Sequence, residues 1–301
     1  MVETAALSEL SIIVLNYNTC EHLRRCLQAI RSEVPGLDVE VFVVDNASSD
    51  GSADMVAAEF AWVHLIRSPR NGGFAYGNNL ALGQATGNAV LLLNPDTLMP
   101  PGGLVALLDA LRHHPEAGII GPKLLRADGS MHLACRRSFP TPSVAFHRLT
   151  GLSRLFRNSP RFGRYNLTFV DPDLAIEVDS VCGACMLVRR EVIERIGLLD
   201  ERFFMYGDDL DWCLRTRQAG WTVRYEPTIV VQHQHGAASR QRPFRTNIHF
   251  FRAMDLFYRK HYVQRYHPLL TGVVRTSIYA ALGLAIFRTL LTSPSHRRVG
   301  L

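Results

Sequence analysis

Much that would assign a function quickly is missing from this chain. The first apolar run, SIIVL at 11–15, is followed by NYNTCEHL, which holds no glycine. A dinucleotide-binding fold needs its glycine-rich turn directly after the first strand, so a Rossmann oxidoreductase is excluded, and no Walker A loop occurs either. The N-terminal MVETAALSEL lacks a basic start followed by an apolar run, which predicts a cytoplasmic chain without a secretory leader. Six cysteines, Cys20, Cys26, Cys135, Cys182, Cys185 and Cys213, are scattered, and without a leader they predict no disulfide framework. Cys182 and Cys185 form one C-x-x-C with no second pair to complete a zinc site. The surrounding VDSVCGACMLV reads as a buried strand with small residues, so core packing is the expected role. Low-complexity tracts are absent, and charged residues make up 20% of the chain, which argues against extended disorder.

What is present suffices for one large α/β domain or two small ones: 301 residues, 47% of them hydrophobic. The net charge of +6 is unevenly placed. From Arg240 onward there are 11 Lys and Arg against one acid, Asp255, a local +10 that leaves −4 for the residues before it. A basic tail rich in apolar residues points to an anionic membrane surface or a polyanionic ligand. Nucleic acid is not expected, because no helix-turn-helix, zinc-finger or RRM signature accompanies the charge.

Strand-like and helix-like segments alternate. Apolar runs at 11–15, 39–45, 62–66 and 89–94 read as strands, and EHLRRCLQAI, the segment after SSDGS, GNNLALGQA and PGGLVALLDALRHHP read as helices. Near-continuous apolar strands between helices predict a mainly parallel sheet covered on both faces. Ligands of such sheets bind at the carboxyl ends of the strands. Those ends are polar here: Asn16-Tyr17-Asn18, Asp45-Asn46, Asn71-Gly72-Gly73-Phe74 and Asn94-Pro95-Asp96. The four should converge on one crevice. The segment 134–175 reads as long loops and short helices covering the site.

Three groups of residues have chemical potential. Asp45 ends a strand and can accept from a base imide, or simply cap a helix or shape a turn. Asp208, Asp209 and Asp211 crowd the start of a helix, where acids commonly compensate the dipole. Crowding also raises the pKa of a carboxyl, which suits a general base. His233 and His235 follow a strand, and either can join Asp96 on a metal. An extended chain points them to opposite faces, so at most one serves.

In order, SIIVLNYN, VFVVDNASSDGS, NGGFAYGNN, LLLNPDT, GACMLVRREVIERIGLLDERFFMYGDDLDWCLRTRQAGW and HQHGAAS resemble the family 2 glycosyltransferases, across roughly residues 10–240. NPDT and FFMYGDDLDWC look most like the rhamnosyltransferase branch. The resemblance implies a GT-A fold over 1–240, with a nucleotide-sugar half at about 10–122 and an acceptor half at about 123–240. A basic, apolar helical region follows at 241–301.

The same resemblance implies an inverting transferase moving L-rhamnose from dTDP-L-rhamnose to a glycan or polyprenyl diphosphate-linked acceptor in surface polysaccharide synthesis. Alternatives are a UDP-sugar donor, a non-catalytic nucleotide-sugar or glycan-binding protein, and, more distantly, a nucleotidyltransferase. By the same carry-over Asp45 binds the base. Asn16, Tyr17, Asn18, Asn46, Asn71, Gly72, Gly73, Phe74, Asn78 and Asn94 surround the donor. Asp96, with His233 or alternatively His235, holds Mg²⁺ or Mn²⁺, and Asp209, or Asp208 beside it, is the base. This sequence departs from the family pattern in two places: Asn94 replaces the first acid of the metal-binding Asp-x-Asp, and Asp208 replaces the usual Glu before the base.

In the tail, the uninterrupted apolar stretch between Arg275 and Arg288 is 276–287, shorter than the roughly 20 residues a span requires. The expectation is a helix lying at the cytoplasmic face of the membrane, its arginines snorkelling. The competing expectation is a helix packed on the catalytic domain or on a second subunit of a homo-oligomer.

Overall fold

The computed structural model describes residues 8–234 and 243–291. Strand β1 (Leu10–Asn16) leads through helix α1 (Cys20–Glu33) to β2 (Val39–Asp45), then through α2 (Ser52–Glu59) to β3 (His64–Arg67). Helix α3 (Gly73–Leu82), β4 (Ala89–Leu93), the short β5 (Thr97–Leu98), α4 (Gly103–His113) and β6 (Ala117–Leu125) follow. Short helices α5 (Pro142–Leu149) and α6 (Leu152–Leu155) lie in the loop-rich middle, with β7 (Ile176–Glu177) after them. Then come β8 (Cys185–Arg189), α7 (Arg190–Ile196), α8 (Asp208–Gln218) and β9 (Thr222–His233), and two long helices, α9 (Pro243–His261) and α10 (Pro268–Leu291).

One sheet runs β3-β2-β1-β4-β8-β6-β9-β5, with β7 paired to β9. The β3-β2-β1-β4 part of the sheet is entirely parallel. Beyond it β8 enters antiparallel to both β4 and β6. All five residues of β4 and the last five of β2 are buried, as strands covered on both faces require. The loop-rich reading of the middle segment holds, and strand β3 begins two residues later than the run at 62–66.

Two local features aim the strand ends. Asn16 and Asp45 close their strands side by side in register, so their side chains emerge together. In β9, pairing with β6 jumps from Pro122↔Glu226 to Lys123↔Val230. Proline cannot donate to a ladder, which makes Pro122 a natural place for that break. Past the bulge β9 continues to β5, where Thr97 faces His233.

Helices α9 and α10 pack on each other through Phe251, Ile278 and Ala285. Asp255 of α9 accepts from Arg275 at 2.7 Å and also meets Arg259 and the Tyr279 hydroxyl. Arg275 is therefore matched by a carboxylate rather than ending the helix. Consequently α10 is one 24-residue helix, longer than the stretch counted between arginines and long and apolar enough, by length and composition, to cross a membrane. Little of it is covered: Leu269, Val273, Phe287 and Leu290 are more than half exposed.

Candidate active site

The crevice at the parallel strand ends is a hydrogen-bonded frame. Asp45 Oδ1 accepts from Asn16 Nδ2 at 3.1 Å, and its Oδ2 accepts from the Ser48 backbone at 3.0 Å. Asn18, in the left-handed region at φ 51°, accepts from the Ser49 N–H at 2.7 Å. Asn46 Oδ1 accepts from the Gly72 N–H, and its amide donates to Asn71 Oδ1 and to the Gly73 carbonyl. Three of the expected segments are thus tied to each other. Asn16, Asp45 and Asn46 are buried within the frame, while Tyr17, Asn18, Asn71, Gly72 and Phe74 remain partly exposed on it.

Asn78 is among the buried residues of α3. It is 1% exposed and its amide donates to the Phe74 carbonyl one turn back in α3, a packing role. Gly73 is where the hydrogen-bonded frame meets the segment that leads into the acidic cluster. Its φ is 90°, and a Cβ there would lie 2.2 Å from the Phe204 carbonyl oxygen. The Phe74 N–H donates to that same oxygen at 2.7 Å.

The Asn94-Pro95-Asp96 turn is held between strands. The Asn94 N–H donates to the Ala184 carbonyl, and the Gln234 N–H to the Asp96 carbonyl. Asp96 Oδ1 lies 3.2 Å from His233 Nε2, both side chains being buried. Asn94 Nδ2 is 3.5 Å from the same nitrogen. Of the two candidate histidines, then, His233 meets Asp96; His235 lies outside the described residues. No cluster of three or more His, Cys, Asp or Glu side chains forms a metal site among the described residues. A carboxylate and an imidazole this close nevertheless suit one divalent cation, since Mg²⁺ is commonly held by one or two carboxylates with phosphate oxygens completing the shell.

The three acids of the DDLD cluster have three different surroundings. Gly207, at φ 77°, precedes α8 and turns the chain so that the acids open the helix. Asp209 Oδ2 accepts from Arg137 Nη2 at 2.6 Å and from the Gly183 N–H at 3.2 Å, and its Oδ1 from the Leu210 N–H at 2.8 Å. Asp208 Oδ1 accepts from the Asp209 N–H, but its Oδ2 is buried with no hydrogen-bond partner among the described residues. Burial first, and the Asp209 charge second, push the Asp208 carboxyl up to about 8. Asp211 is wholly buried; burial opposes its charge, but His261 and Lys260 of α9, each at 2.7 Å, with Arg215, hold it below the ordinary carboxylate range. Asp211 therefore joins α8 to α9 and is not free for chemistry.

Asp209, unlike Asp208, lines a cavity of about 710 Å³, together with Arg137, His132 and Cys182. The His132 ring lies 5.2 Å from that of His233, which connects this cavity to the Asp96 turn. Neither His132 nor Arg137 was singled out from sequence. The neighbouring arginines of CRRSFP divide their work. Arg136 donates to the carbonyls of Val170 and Asp171, anchoring the loop-rich middle. Arg137, whose backbone pairs with Ser180, reaches inward to Asp209. The C-x-x-C pair divides: Cys185 is buried in the core, while Cys182 packs against the core, stays partly exposed and lines the cavity, its thiol pushed up to about 12 by its desolvated surroundings.

A frame at parallel strand ends, an acid turn facing a histidine and a helix-opening carboxylate in a cavity occur here in the order of one known family. The glycosyl transferase family 2 model matches residues 11–197. The chain belongs to that family. It is 30% identical over 245 residues, 78% of either chain, to the N-acetylglucosaminyl-diphospho-decaprenol L-rhamnosyltransferase of Mycobacterium tuberculosis. It is also 30% identical over 221 residues, 72% of this chain and 64% of the relative, to a low-salt glycan biosynthesis hexosyltransferase of Haloferax volcanii. Among solved structures, a mannosyltransferase of Pyrobaculum calidifontis in complex with GDP-Man and Mn²⁺ superposes with a TM-score of 0.57 at 19% identity, over 96% of this chain and 82% of that one. This glycosyltransferase has the GT-A architecture of that neighbour, and its C-terminal helices follow the catalytic fold.

Proposed function

We propose that this glycosyltransferase moves L-rhamnose from dTDP-L-rhamnose to a polyprenyl diphosphate-linked glycan at the cytoplasmic face of the membrane. The observation that carries the reading is the placement of Asp209. It is the cluster's one acid that lines a large cavity, and His132 joins that cavity to the Asp96–His233 pair. The name of the M. tuberculosis relative supplies the sugar and acceptor class. The membrane location rests on the exposed apolar face of α10 and the basic charge beyond Arg240.

In this reading the frame of Asn16, Asp45, Asn46 and Asn71 shapes the nucleotide pocket, and Asp45 meets the base. Asp209 takes the proton of the acceptor hydroxyl as that oxygen displaces the nucleoside diphosphate, with inversion at the anomeric carbon. A positioned base of this kind contributes about 10²–10⁴-fold. Arg137 fixes the carboxylate and balances its charge. Asp96 and His233 would hold Mg²⁺ or Mn²⁺, which when bound neutralises charge on the departing diphosphate; the P. calidifontis neighbour carries Mn²⁺.

The test is to incubate the purified chain with labelled nucleotide sugars, one at a time, and a polyprenyl diphosphate-linked N-acetylglucosamine. Label should reach the lipid from dTDP-L-rhamnose. Transfer from a UDP-sugar alone would overturn the donor assignment.

A further inference from the structure

The cavity that Asp209 lines is larger than one hydroxyl requires, and its wall is mixed: a few charged side chains among many apolar ones. Asp209, Arg137 and His132 are among its polar lining. The apolar part of the wall comes from three helices: Phe146 and Leu149 of α5, Ala253 and Phe257 of α9, and Val274 and Ile278 of α10. Arg148, Arg161 and His147 also line it, and Asp209 is the only acid in the wall among the described residues. Arg148 is held in place by Asn166 Oδ1 at 3.0 Å and by the Tyr165 ring 4.5 Å away.

A ligand matched to this wall combines a hydroxyl to be activated, an anionic group for the arginines and an apolar chain. A volume of about 710 Å³ is that of a small-molecule pocket, so a long chain would fill it and continue outward. The outward path is the α10 face bearing the exposed Leu270 and Val273, both of which also line the cavity. Apolar surface on both the ligand and the wall leaves water together, which favours seating.

We propose that the α5–α9–α10 cavity is the subsite for the diphosphate linkage and the first isoprene units of the acceptor, with Arg148 and Arg161 countering the linkage charge. This rests on the acceptor class proposed above and adds to it the part of the chain that reads the lipid. Specificity for a prenyl acceptor then resides in helices that lie outside the family-matched residues 11–197 for α9 and α10.

Binding of geranylgeranyl diphosphate to the full chain, measured at equilibrium without any sugar donor, tests the subsite directly. The wild-type chain should bind it, and Ala145→Trp or Ala253→Trp, which fill the cavity, should weaken binding at least tenfold. Phe146→Asp changes an exposed wall position and keeps the test decisive if Ala253→Trp fails to fold. No binding by the wild-type chain, or equal binding by all soluble variants, would overturn the proposal. The acceptor reading fails separately: it falls if the probe binds but no sugar passes to a prenyl diphosphate-linked acceptor. The subsite falls if sugar passes to that acceptor equally in wild type and cavity-filled variants.

Discussion

Arg137 Nη2 and Asp209 Oδ2 lie 2.6 Å apart, both buried, and 72 residues separate them in sequence. This pair connects the loop-rich middle of the chain to the helix that carries the expected base. Removing one member of such a pair leaves the other as an uncompensated buried charge. Arg137→Met should therefore lower stability by about 3–5 kcal/mol, and the double variant with Asp209→Asn should recover much of it. Denaturant unfolding of the four proteins of that cycle measures the coupling; additive losses would show that the pair does not act as a unit.

Asp208 should make stability fall as pH rises. Its folded carboxyl keeps a proton up to about 8, whereas an unfolded one releases it near 4. Between those values the folded state binds more protons, so each step upward in pH favours unfolding. Asp208→Asn mimics the protonated form and should remove that slope. The variant should match the parent near pH 4 and exceed it at pH 8, by an amount on the order of a few kcal/mol. Parallel stability curves for the two proteins would contradict this.

Chelation should silence the enzyme. EDTA is expected to abolish transfer, and Mg²⁺ or Mn²⁺ to restore it, while Asp96→Ala stays inactive with either metal. Full activity in EDTA would remove the metal role from both Asp96 and His233.

The chain truncated after His267 lacks α10 and should no longer sediment with anionic liposomes. The intact chain should bind them, less so as salt rises and screens its basic region. Equal liposome binding by both proteins would show that α10 is not the anchor.

Much of the fold was legible because burial leaves a strong mark on strands. An apolar run that turns polar at its end, as in VEVFVVD or LLLNPD, locates both a strand and the side of the sheet where its end opens. The three acids could be located but not ranked, because their roles depend on distant partners. Asp211 is claimed by Lys260 and His261, and Asp209 by Arg137. Arg137 lies in the segment 134–175, which reads as loops and short helices covering the site without marking any one side chain, and His132 lies just before it. The Arg137↔Ser180 bridge and the Phe139 N–H on Asp179 tie that loop to residues some forty positions away, and no local pattern encodes them. The surroundings of Asn78 were equally illegible: its sequence neighbours are site-like, while its amide donates to the Phe74 carbonyl within α3. Arg275 looked like the end of an apolar segment because its partner, Asp255, lies 20 residues away on another helix.

The most direct measurement compares transfer by Asp209→Asn and Asp208→Asn under saturating donor and acceptor. Asp209 lines the cavity and Asp208 does not. Asp209→Asn should therefore lower kcat by about two to four orders of magnitude, the range of a general base, with donor binding nearly unchanged. Asp208→Asn should keep most of its kcat. The reverse pattern, activity surviving in Asp209→Asn and lost in Asp208→Asn, would contradict the assignment of the base and the account of the cavity built on it.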